Sequence, residues 1–147
     1  MVCSDLVRAR QTAELLACDR DWAPPEGLRG LRERGAGDWT GLTRDEIECR
    51  WPGALRATPA AIPGGESVGG MTARAVVTFH RIAEHNPGRT VLAVSHGALI
   101  RGVAHHLGVN AAPVPNLAGL WVEVEAGELC AGPWTAALGA GVAERTG

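Results

Sequence analysis

The stretch Thr90-Val-Leu-Ala-Val-Ser-His96-Gly97 decides the fold class of this 147-residue chain. Residues 90–95 contain an uninterrupted apolar run, which is typical of a strand that is covered on both faces. His96 and Gly97 then begin a helix that should end at Leu107-Gly108. A buried strand that leads directly into a helix predicts an α/β sheet covered by helices.

Three further helices are predicted from apolar spacing and capping signals. The first covers residues 5–17, follows a strand-like segment at residues 2–4 and has Ser4 as its N-cap. The second starts at Thr43, the first residue of a capping box. The third covers residues 67–85 and carries an apolar stripe on one face.

The remaining segments predict loops, a hairpin and a tail. Residues 18–42 and 54–66 are rich in glycine and proline, and they are predicted to be loops. Residues 120–131 contain two short apolar segments around a turn signal, which predicts a β-hairpin. We therefore expect one domain over residues 1–134 and a flexible tail over residues 135–147.

Composition and charge exclude several function classes. The length fits a single domain, and the net charge of −2 provides no field that would attract nucleic acid or an anionic membrane. The four cysteines include no C-x-x-C pair, so we expect reduced thiols in or near the core. The chain has neither a bilayer-length apolar run nor a signal-peptide core, so we expect a cytoplasmic protein.

His96 is the strongest candidate for a functional residue. It follows the carboxyl end of a predicted strand and begins a helix, where open α/β sheets place their ligand sites. The amides at a helix N-terminus favour an anion, and Gly97 lets a ligand approach the backbone closely. A solvated or core histidine is the alternative interpretation, but the position favours a site.

Arg8 and Glu33 are weaker candidates when each is taken alone. Arg8 lies in the first turn of the first helix, so its guanidinium should point towards the same sheet edge and could bind phosphate with two hydrogen bonds. A surface ion pair explains Arg8 equally well. Glu33 lies in the first long loop, where a carboxyl beside an anion would have a raised pKa and could donate a proton; otherwise it is a solvated residue.

The other histidines do not suggest a metal site. His80 and His85 are five residues apart, whereas a pair of ligands on one helix face needs a spacing of four. Adjacent His105 and His106 would point about 100° apart on a helix. We therefore expect no bound metal.

Four stretches resemble motifs of the histidine phosphatase superfamily, which includes the cofactor-dependent phosphoglycerate mutases. They occur in the family's order and cover residues 2 to about 120. They are Ser4-Asp-Leu-Val-Arg8-Ala-Arg-Gln-Thr12-Ala, Leu31-Arg-Glu33-Arg-Gly-Ala-Gly37-Asp-Trp-Thr-Gly41-Leu-Thr43, Pro63-Gly-Gly-Glu66-Ser67 and Val94-Ser-His96-Gly97-Ala-Leu-Ile-Arg101. Each motif alone is weak evidence, but four in sequence are specific.

The resemblance implies a three-layer fold, in which helices cover both faces of a mostly parallel sheet, and phosphoryl transfer through a phosphohistidine. It implies that Arg8, His96 and Gly97 form the phosphate pocket, and that His96 also stabilises the oxygens of the transferring group. Glu33 takes the position of the general acid that protonates the leaving alkoxide. The implied ligand is a small phosphorylated or anionic molecule, and no cofactor is implied.

The chain departs from the family at its N-terminus. Family members begin with a strand that ends in Arg-His-Gly, whose histidine is the nucleophile, whereas no histidine here precedes His80. Thr40 also replaces the glutamate that commonly follows the tryptophan of the loop motif. In the family the absent strand is central and lies beside the strand at residues 90–95. We expect a truncated domain whose gap is filled by a second copy or partner chain, by Val2–Ser4 moving inward, or by a segment that this sequence lacks.

Three functions remain open at this stage. The first is a phosphatase of small phosphomonoesters, which would be inactive by the phosphohistidine route without the missing nucleophile. The second is a non-catalytic module that binds phosphate or a protein partner. The third is a pocket in which Glu33 and His96 perform acid–base chemistry on a substrate without phosphate.

Overall fold

The computed structural model describes residues 1–56, 62–110 and 114–135. Over these residues it has a three-stranded parallel sheet, a two-stranded antiparallel hairpin and four α-helices. The elements are β1 (Val2–Ser4), α1 (Val7–Asp19), β2 (Glu26–Leu28), α2 (Arg44–Arg50), α3 (Val68–His85), β3 (Ala93–Val94), α4 (Gly97–His106), β4 (Gly119–Glu125) and β5 (Glu128–Thr135). The predicted α/β class is confirmed.

β1 is the middle strand of the parallel sheet, whose order is β2-β1-β3. Ser4 lies opposite Leu28 of β2, and Cys3 lies opposite Val94 of β3. Helix α1 packs against β1 and β3. Because parallel strands run in the same direction, the residues that follow the three strands emerge at the same edge of the sheet.

The strand predicted at residues 90–95 is shorter and more exposed than expected. Only Ala93–Val94 form the ladder with β1, where they pair with Val2 and Cys3. The Leu92 carbonyl also accepts a hydrogen bond from the Val2 N–H at 2.9 Å. Leu92 is 40% exposed and both residues of β3 are half-buried, so the prediction that this strand is covered on both faces is wrong.

The resemblance placed the absent strand beside β3, and β1 occupies one of the two edges of β3. Among the strands that the structure describes, none pairs with the other edge, and β4 and β5 pair only with each other. That second edge is therefore open among the described strands, and the place of a further strand beside it stays a prediction. Its coverage by a partner chain or a second copy stays a prediction.

The predicted loop over residues 18–42 contains the third strand of the sheet. Helix α1 continues to Asp19, and β2 follows at Glu26–Leu28. Its Glu-Gly-Leu sequence has neither alternation nor an apolar run, so its extended conformation comes from pairing with β1. A Cβ at Gly27 would meet only the guanidinium of Arg10 at close range, and this exposed side chain can move aside, so glycine is not required there.

Ser4 is not the N-cap of the first helix, and this prediction is wrong. Helix α1 begins at Val7, and the N-cap position is occupied by Leu6, whose side chain makes no capping hydrogen bond. Ser4 is the last residue of β1, and its hydroxyl accepts a hydrogen bond from the Leu6 N–H at 3.3 Å. The Ser4 hydroxyl therefore binds the amide of the N-cap residue and none of the amides within the helix.

Capping and hairpin predictions from local signals are confirmed. The Thr43 hydroxyl accepts from the Glu46 N–H, and the Glu46 carboxylate accepts from the Thr43 N–H at 2.8 Å, which completes the capping box of α2. The Ser67 hydroxyl, which was not predicted to be a cap, also caps α3 by accepting from the Gly70 N–H at 2.9 Å. The predicted hairpin is the antiparallel pair β4–β5.

Strand β5 extends one residue into the predicted tail. β5 includes Thr135, whose hydroxyl donates to the Gly119 carbonyl at 3.2 Å. Residues 136–147 of the predicted tail and residues 57–61 of the second predicted loop lie outside the described residues. The domain boundary therefore stays a prediction.

Two observations bear on the predicted location. The four cysteines are unpaired, but only Cys3 is buried; Cys18, Cys49 and Cys130 are exposed, so their predicted place in or near the core is wrong. None of the described helices is both long enough and apolar enough to cross a membrane. The cytoplasmic location stays a prediction.

The main apolar core lies between α3 and α4. It consists of Met71, Ala75, Leu99 and Val103, each at most 2% exposed. Phe79 of α3 and Val122 of β4 pack against this cluster. The core thus holds α4, whose first residue adjoins the sheet edge, against α3 and the hairpin.

Replacement of Leu99 by alanine tests this core. Leu99→Ala should lower the free energy of unfolding by about 2–5 kcal/mol, because the deletion leaves a cavity among packed side chains. Leu15→Ala is the matched control: Leu15 is 73% exposed on α1, so its loss should change stability by less than about 0.5 kcal/mol. Urea unfolding followed by circular dichroism measures both. Equal effects would show that Leu99 is not in the core.

Candidate anion-binding site

His96 lies at the sheet edge, between the end of β3 and the start of α4. It occupies the N-cap position of α4 with an extended backbone (φ −127°, ψ 153°), and its side chain makes no capping hydrogen bond. The residue is only 7% exposed, and its Nε2 lies 2.9 Å from the hydroxyl oxygen of Ser4. The predicted position of His96, after a strand and before a helix, is confirmed.

Burial lowers the pKa of His96. Loss of solvation is the largest cause; the positive charge of Arg8 lowers the pKa further, the carboxylate of Glu33 raises it, and Arg74 lowers it. These three charged groups therefore lie within electrostatic reach of the imidazole. The fold brings Arg8, Glu33 and His96 into one region, as the motif order predicts.

Arg8 is the second residue of α1, and its side chain is exposed. The ion pairs among the described residues involve other arginines, Arg20, Arg32 and Arg74. The surface ion pair that was the alternative interpretation of Arg8 is thus not formed with any described residue. Its guanidinium is close enough to lower the pKa of His96, and it has no carboxylate partner in that part of the chain.

Glu33 is half-buried in the loop that follows β2. One oxygen of its carboxylate accepts from the Arg34 N–H at 3.0 Å. Its backbone carbonyl accepts from the guanidinium of Arg74 at 3.0 Å. The position of Glu33 relative to His96 is therefore set largely by its main chain.

Arg74 is a structural residue of the site that the sequence analysis missed. From α3 its guanidinium donates to the two carboxylate oxygens of Glu66 at 2.7 and 2.8 Å, to the Gly30 carbonyl at 2.9 Å and to the Glu33 carbonyl. One side chain thus joins α3 to the loop that carries Glu33. In the sequence, the only sign of this contact was Glu66, which belongs to the third motif. Arg74 follows it by eight positions, a separation that does not by itself indicate an ion pair.

Two further contacts hold the same loop against the sheet. The guanidinium of Arg32 donates to both carboxylate oxygens of Asp5 at 2.6 and 2.7 Å, and these hydrogen bonds lower the pKa of Asp5. The hydroxyl of Ser95 donates to the Leu31 carbonyl at 2.8 Å. The loop is therefore attached to the ends of both β1 and β3.

Gly97 is the first residue of α4 and is half-buried. A Cβ at this position would meet only the Arg101 guanidinium, at 3.5 Å, among the described atoms. Space is therefore open beside the first amides of α4. Arg101, exposed and next to this space, is a second cation that the sequence analysis did not select.

The arrangement suits an anion better than a cation. The region combines two arginines, an imidazole and the amino end of a ten-residue helix. Within the described ranges, no three His, Cys, Asp or Glu side chains are grouped as metal ligands would be. One half-buried carboxylate, that of Glu33, is placed nearby as a candidate proton donor.

These features define an α/β protein with its candidate site at the carboxyl edge of a parallel sheet. A model of the histidine phosphatase superfamily (branch 1) matches residues 1–123. The chain therefore belongs to the histidine phosphatase superfamily. This confirms the resemblance drawn from the four motifs.

Two curated relatives show the range of the family around this chain. It is 32% identical over 127 residues to phosphoglycerate mutase-like protein 4 of Arabidopsis thaliana, covering 82% of this chain and 55% of that protein. It is 34% identical over 140 residues to glucosyl-3-phosphoglycerate phosphatase of Mycolicibacterium vanbaalenii, covering 84% of this chain and 62% of the relative. The chain thus spans little more than half the length of these relatives.

Solved structures agree on the fold. The chain is similar to mycobacterial glucosyl-3-phosphoglycerate phosphatase in complex with inorganic phosphate, with a TM-score of 0.77, 28% identity and coverage of 93% of this chain and 76% of that one. It is also similar to YhfR of Bacillus stearothermophilus, with a TM-score of 0.78, 27% identity and coverage of 88% and 70%. The histidine phosphatase fold is thereby confirmed.

The Glu66–Arg74 contact should make stability depend on pH. Hydrogen bonds from Arg74 hold the pKa of Glu66 below its ordinary value of 4.5. The folded state therefore binds fewer protons than the unfolded state as the pH falls below about 4.5, and this contribution to stability is lost through the folded pKa. We expect the stability difference between the wild-type protein and Glu66→Gln to be largest above pH 4.5 and to shrink on acidification.

Urea unfolding of both proteins between pH 3 and pH 7 measures this difference. Glu48→Gln on α2, where the carboxylate only accepts the Gly53 N–H, serves as the control for removal of a charge. A difference between wild type and Glu66→Gln that stays constant over this pH range would contradict the assignment.

Proposed function

We propose that the region around His96 binds a phosphate group, either free or as a small phosphomonoester. The observation that carries this proposal is the convergence of Arg8, His96 and the start of α4 at one sheet edge. A guanidinium, a buried imidazole and free helix amides are complementary to the oxygens of a tetrahedral anion. Membership in the histidine phosphatase superfamily supports the same ligand class.

In this proposal Arg8 provides two parallel donors and the charge that offsets the phosphate. His96 and the Gly97 amide donate to further oxygens of the phosphate. The open space beside Gly97 accommodates these oxygens. Once another polypeptide segment supplies a nucleophile, Glu33 is the proton donor for the leaving alkoxide, since its half-buried carboxylate lies within electrostatic reach of the imidazole. A glucosyl-3-phosphoglycerate phosphatase among the relatives supports a phosphomonoester as the substrate class.

We infer that these 147 residues bind phosphate without hydrolysing it through a phosphohistidine. No histidine precedes His80 in the chain. His80 and His106 line a different cleft with Glu128 and Cys130, and His96 is assigned to the binding of the anion. Turnover by the family's route would need a nucleophile from another polypeptide segment.

The unpaired second edge of β3 is the place where such a segment, or a second copy of the chain, would add a strand. The main-chain groups of Ala93–Val94 pair on the β1 side only, among the described strands. A strand added there would also cover the half-buried side chains of β3 and the exposed side chain of Leu92. A non-catalytic phosphate-binding module is the alternative function that the same observations favour.

Isothermal titration with inorganic phosphate tests the binding site. Arg8→Gln should weaken binding by about 10-fold or more, because it removes a charge-assisted pair of hydrogen bonds. Arg20→Gln is the matched control, since Arg20 ends the same helix and pairs with Asp19 at an exposed position; it should bind as the wild type does. Equal affinity for wild type and Arg8→Gln, or no binding by the wild type, would overturn the proposal.

Acid-quench labelling tests the absence of turnover. The 147-residue polypeptide, incubated with a 32P-labelled aryl phosphate and quenched, should carry no phosphohistidine, because its sequence contains no Arg-His-Gly motif, which supplies the nucleophile in the family. Bovine serum albumin treated in parallel gives the background. Label retained on this chain above that background would show that one of its own side chains attacks phosphorus.

A further inference from the structure

We propose that Ser4 is a positioning residue that holds His96 as a neutral imidazole with its proton on Nδ1, so that Nδ1–H is the donor offered to the anion. The inference rests on the phosphate site proposed above and adds the protonation state of its histidine. The observation behind it is a buried hydrogen bond between residues that are 92 positions apart in sequence.

The hydrogen bonds of the Ser4 hydroxyl determine the direction of this contact. Ser4 is completely buried, and its oxygen has two partners among the described residues, the Leu6 N–H at 3.3 Å and His96 Nε2 at 2.9 Å. A backbone N–H can only donate, so Leu6 uses a lone pair of the oxygen. The hydroxyl hydrogen therefore has one acceptor within reach, which is Nε2 of His96.

A proton on Nε2 would leave two donors facing each other. The hydroxyl hydrogen of Ser4 would then be buried without an acceptor in the described part of the chain, which is unfavourable. Nε2 therefore carries no proton, and a neutral imidazole in this state carries its proton on Nδ1. Ser4 thus donates its hydroxyl hydrogen to Nε2 and thereby stabilises the tautomer with the proton on Nδ1.

The other ring nitrogen, Nδ1, remains available to a ligand. Nδ1 of His96 makes no hydrogen bond to any described residue. In the described ranges, Trp39 Nε1 is the one fully buried side-chain nitrogen or oxygen that lacks a partner. Because Nδ1 also lacks a partner, it cannot be fully buried and must be accessible to solvent. Nδ1 also points away from Ser4, since the two nitrogens lie on opposite sides of the ring. The Nδ1–H is thus an accessible donor beside the start of α4.

The charges around the imidazole agree with a neutral ring. Arg8 from α1 and Arg74 from α3 both disfavour the imidazolium, and burial does so more strongly, while Glu33 from the loop favours it. Ser4 reinforces the neutral form, because an imidazolium would place a second N–H against the hydroxyl. Arg8 then supplies the positive charge to the anion, and His96 supplies a directed hydrogen bond.

Histidine-selective 15N labelling and long-range 1H–15N correlation NMR at pH 7.5 test this assignment directly. His96 is identified among the five histidines by the signals lost in His96→Gln. The wild-type protein should show His96 with a protonated Nδ1 and an unprotonated Nε2. A protonated Nε2 in the wild-type spectrum would overturn the proposal, whether or not the protein binds phosphate.

Variants separate positioning from simple packing. Ser4→Ala should move His96 towards the Nε2–H tautomer and weaken phosphate binding by about 3- to 10-fold, the effect of one neutral hydrogen bond. Ser4→Thr keeps the hydroxyl and should retain the wild-type tautomer. Ser95→Ala is the matched control, because it removes a neighbouring hydroxyl that contacts the Leu31 carbonyl; the His96 tautomer should not change.

The two proposals fail in distinguishable ways. A wild-type protein with the Nδ1–H tautomer but no phosphate binding would overturn the proposed function and support the assignment of the proton. Phosphate binding that is equally strong in wild type and Ser4→Ala, with an unchanged His96 tautomer, would overturn the role of Ser4 and leave the phosphate site supported.

Discussion

The pairing of β1 with a neighbour on each side is the constraint on which the site depends. Three residues of one strand hold two segments, residues 26–28 and 93–94, that are far from each other in sequence. Because all three strands are parallel, Arg8, Glu33 and His96 follow their ends towards the same edge. The same ladder brings the Ser4 hydroxyl, at the end of β1, within hydrogen-bond distance of the His96 imidazole, which follows β3.

The short sheet alone does not hold the loop that carries Glu33 in place. Hydrogen bonds from arginine side chains attach this loop to α3 and to the end of β1. Arg74 reaches from α3 to the loop carbonyls and to Glu66, while Arg32 binds Asp5 at the end of β1. Each of these arginines is satisfied by carboxylate or carbonyl oxygens, so neither is available to a ligand. Arg8 differs because no described carboxylate pairs with it, and this difference assigns structural and ligand-binding roles to chemically identical side chains.

Local signals in the sequence were sufficient for part of the fold. The capping residue Thr43, the apolar stripe of α3 and the β4–β5 hairpin depend on neighbours a few positions away, and their predictions are confirmed. β2 has no such signal, since its extended conformation comes from pairing with a strand more than twenty residues away. The prediction that Ser4 caps a helix was wrong because it also relied on local sequence alone. The hydroxyl of Ser4 contacts His96, which is 92 positions away.

The site was only partly predictable. The location of His96 followed from strand and helix order, whereas Arg8 and Glu33 became strong candidates only through the order of the family motifs. Arg74 was missed because its contacts with the loop join residues more than forty positions apart, which no local spacing reveals. The roles of Arg8, Glu33, His96 and Gly97 in phosphate chemistry stay predictions.

The central claim is that this sheet edge binds a tetrahedral oxyanion between Arg8 and the start of α4. Crystals of the protein grown with tungstate, an anomalous scatterer with the shape of phosphate, test it most directly. We predict an anomalous peak from the tungsten atom of a tungstate ion at this edge. The oxygens of that ion should lie about 3 Å from His96 Nδ1 and from the Arg8 guanidinium. Tungstate bound elsewhere on the protein, with no density at this edge, would contradict the account.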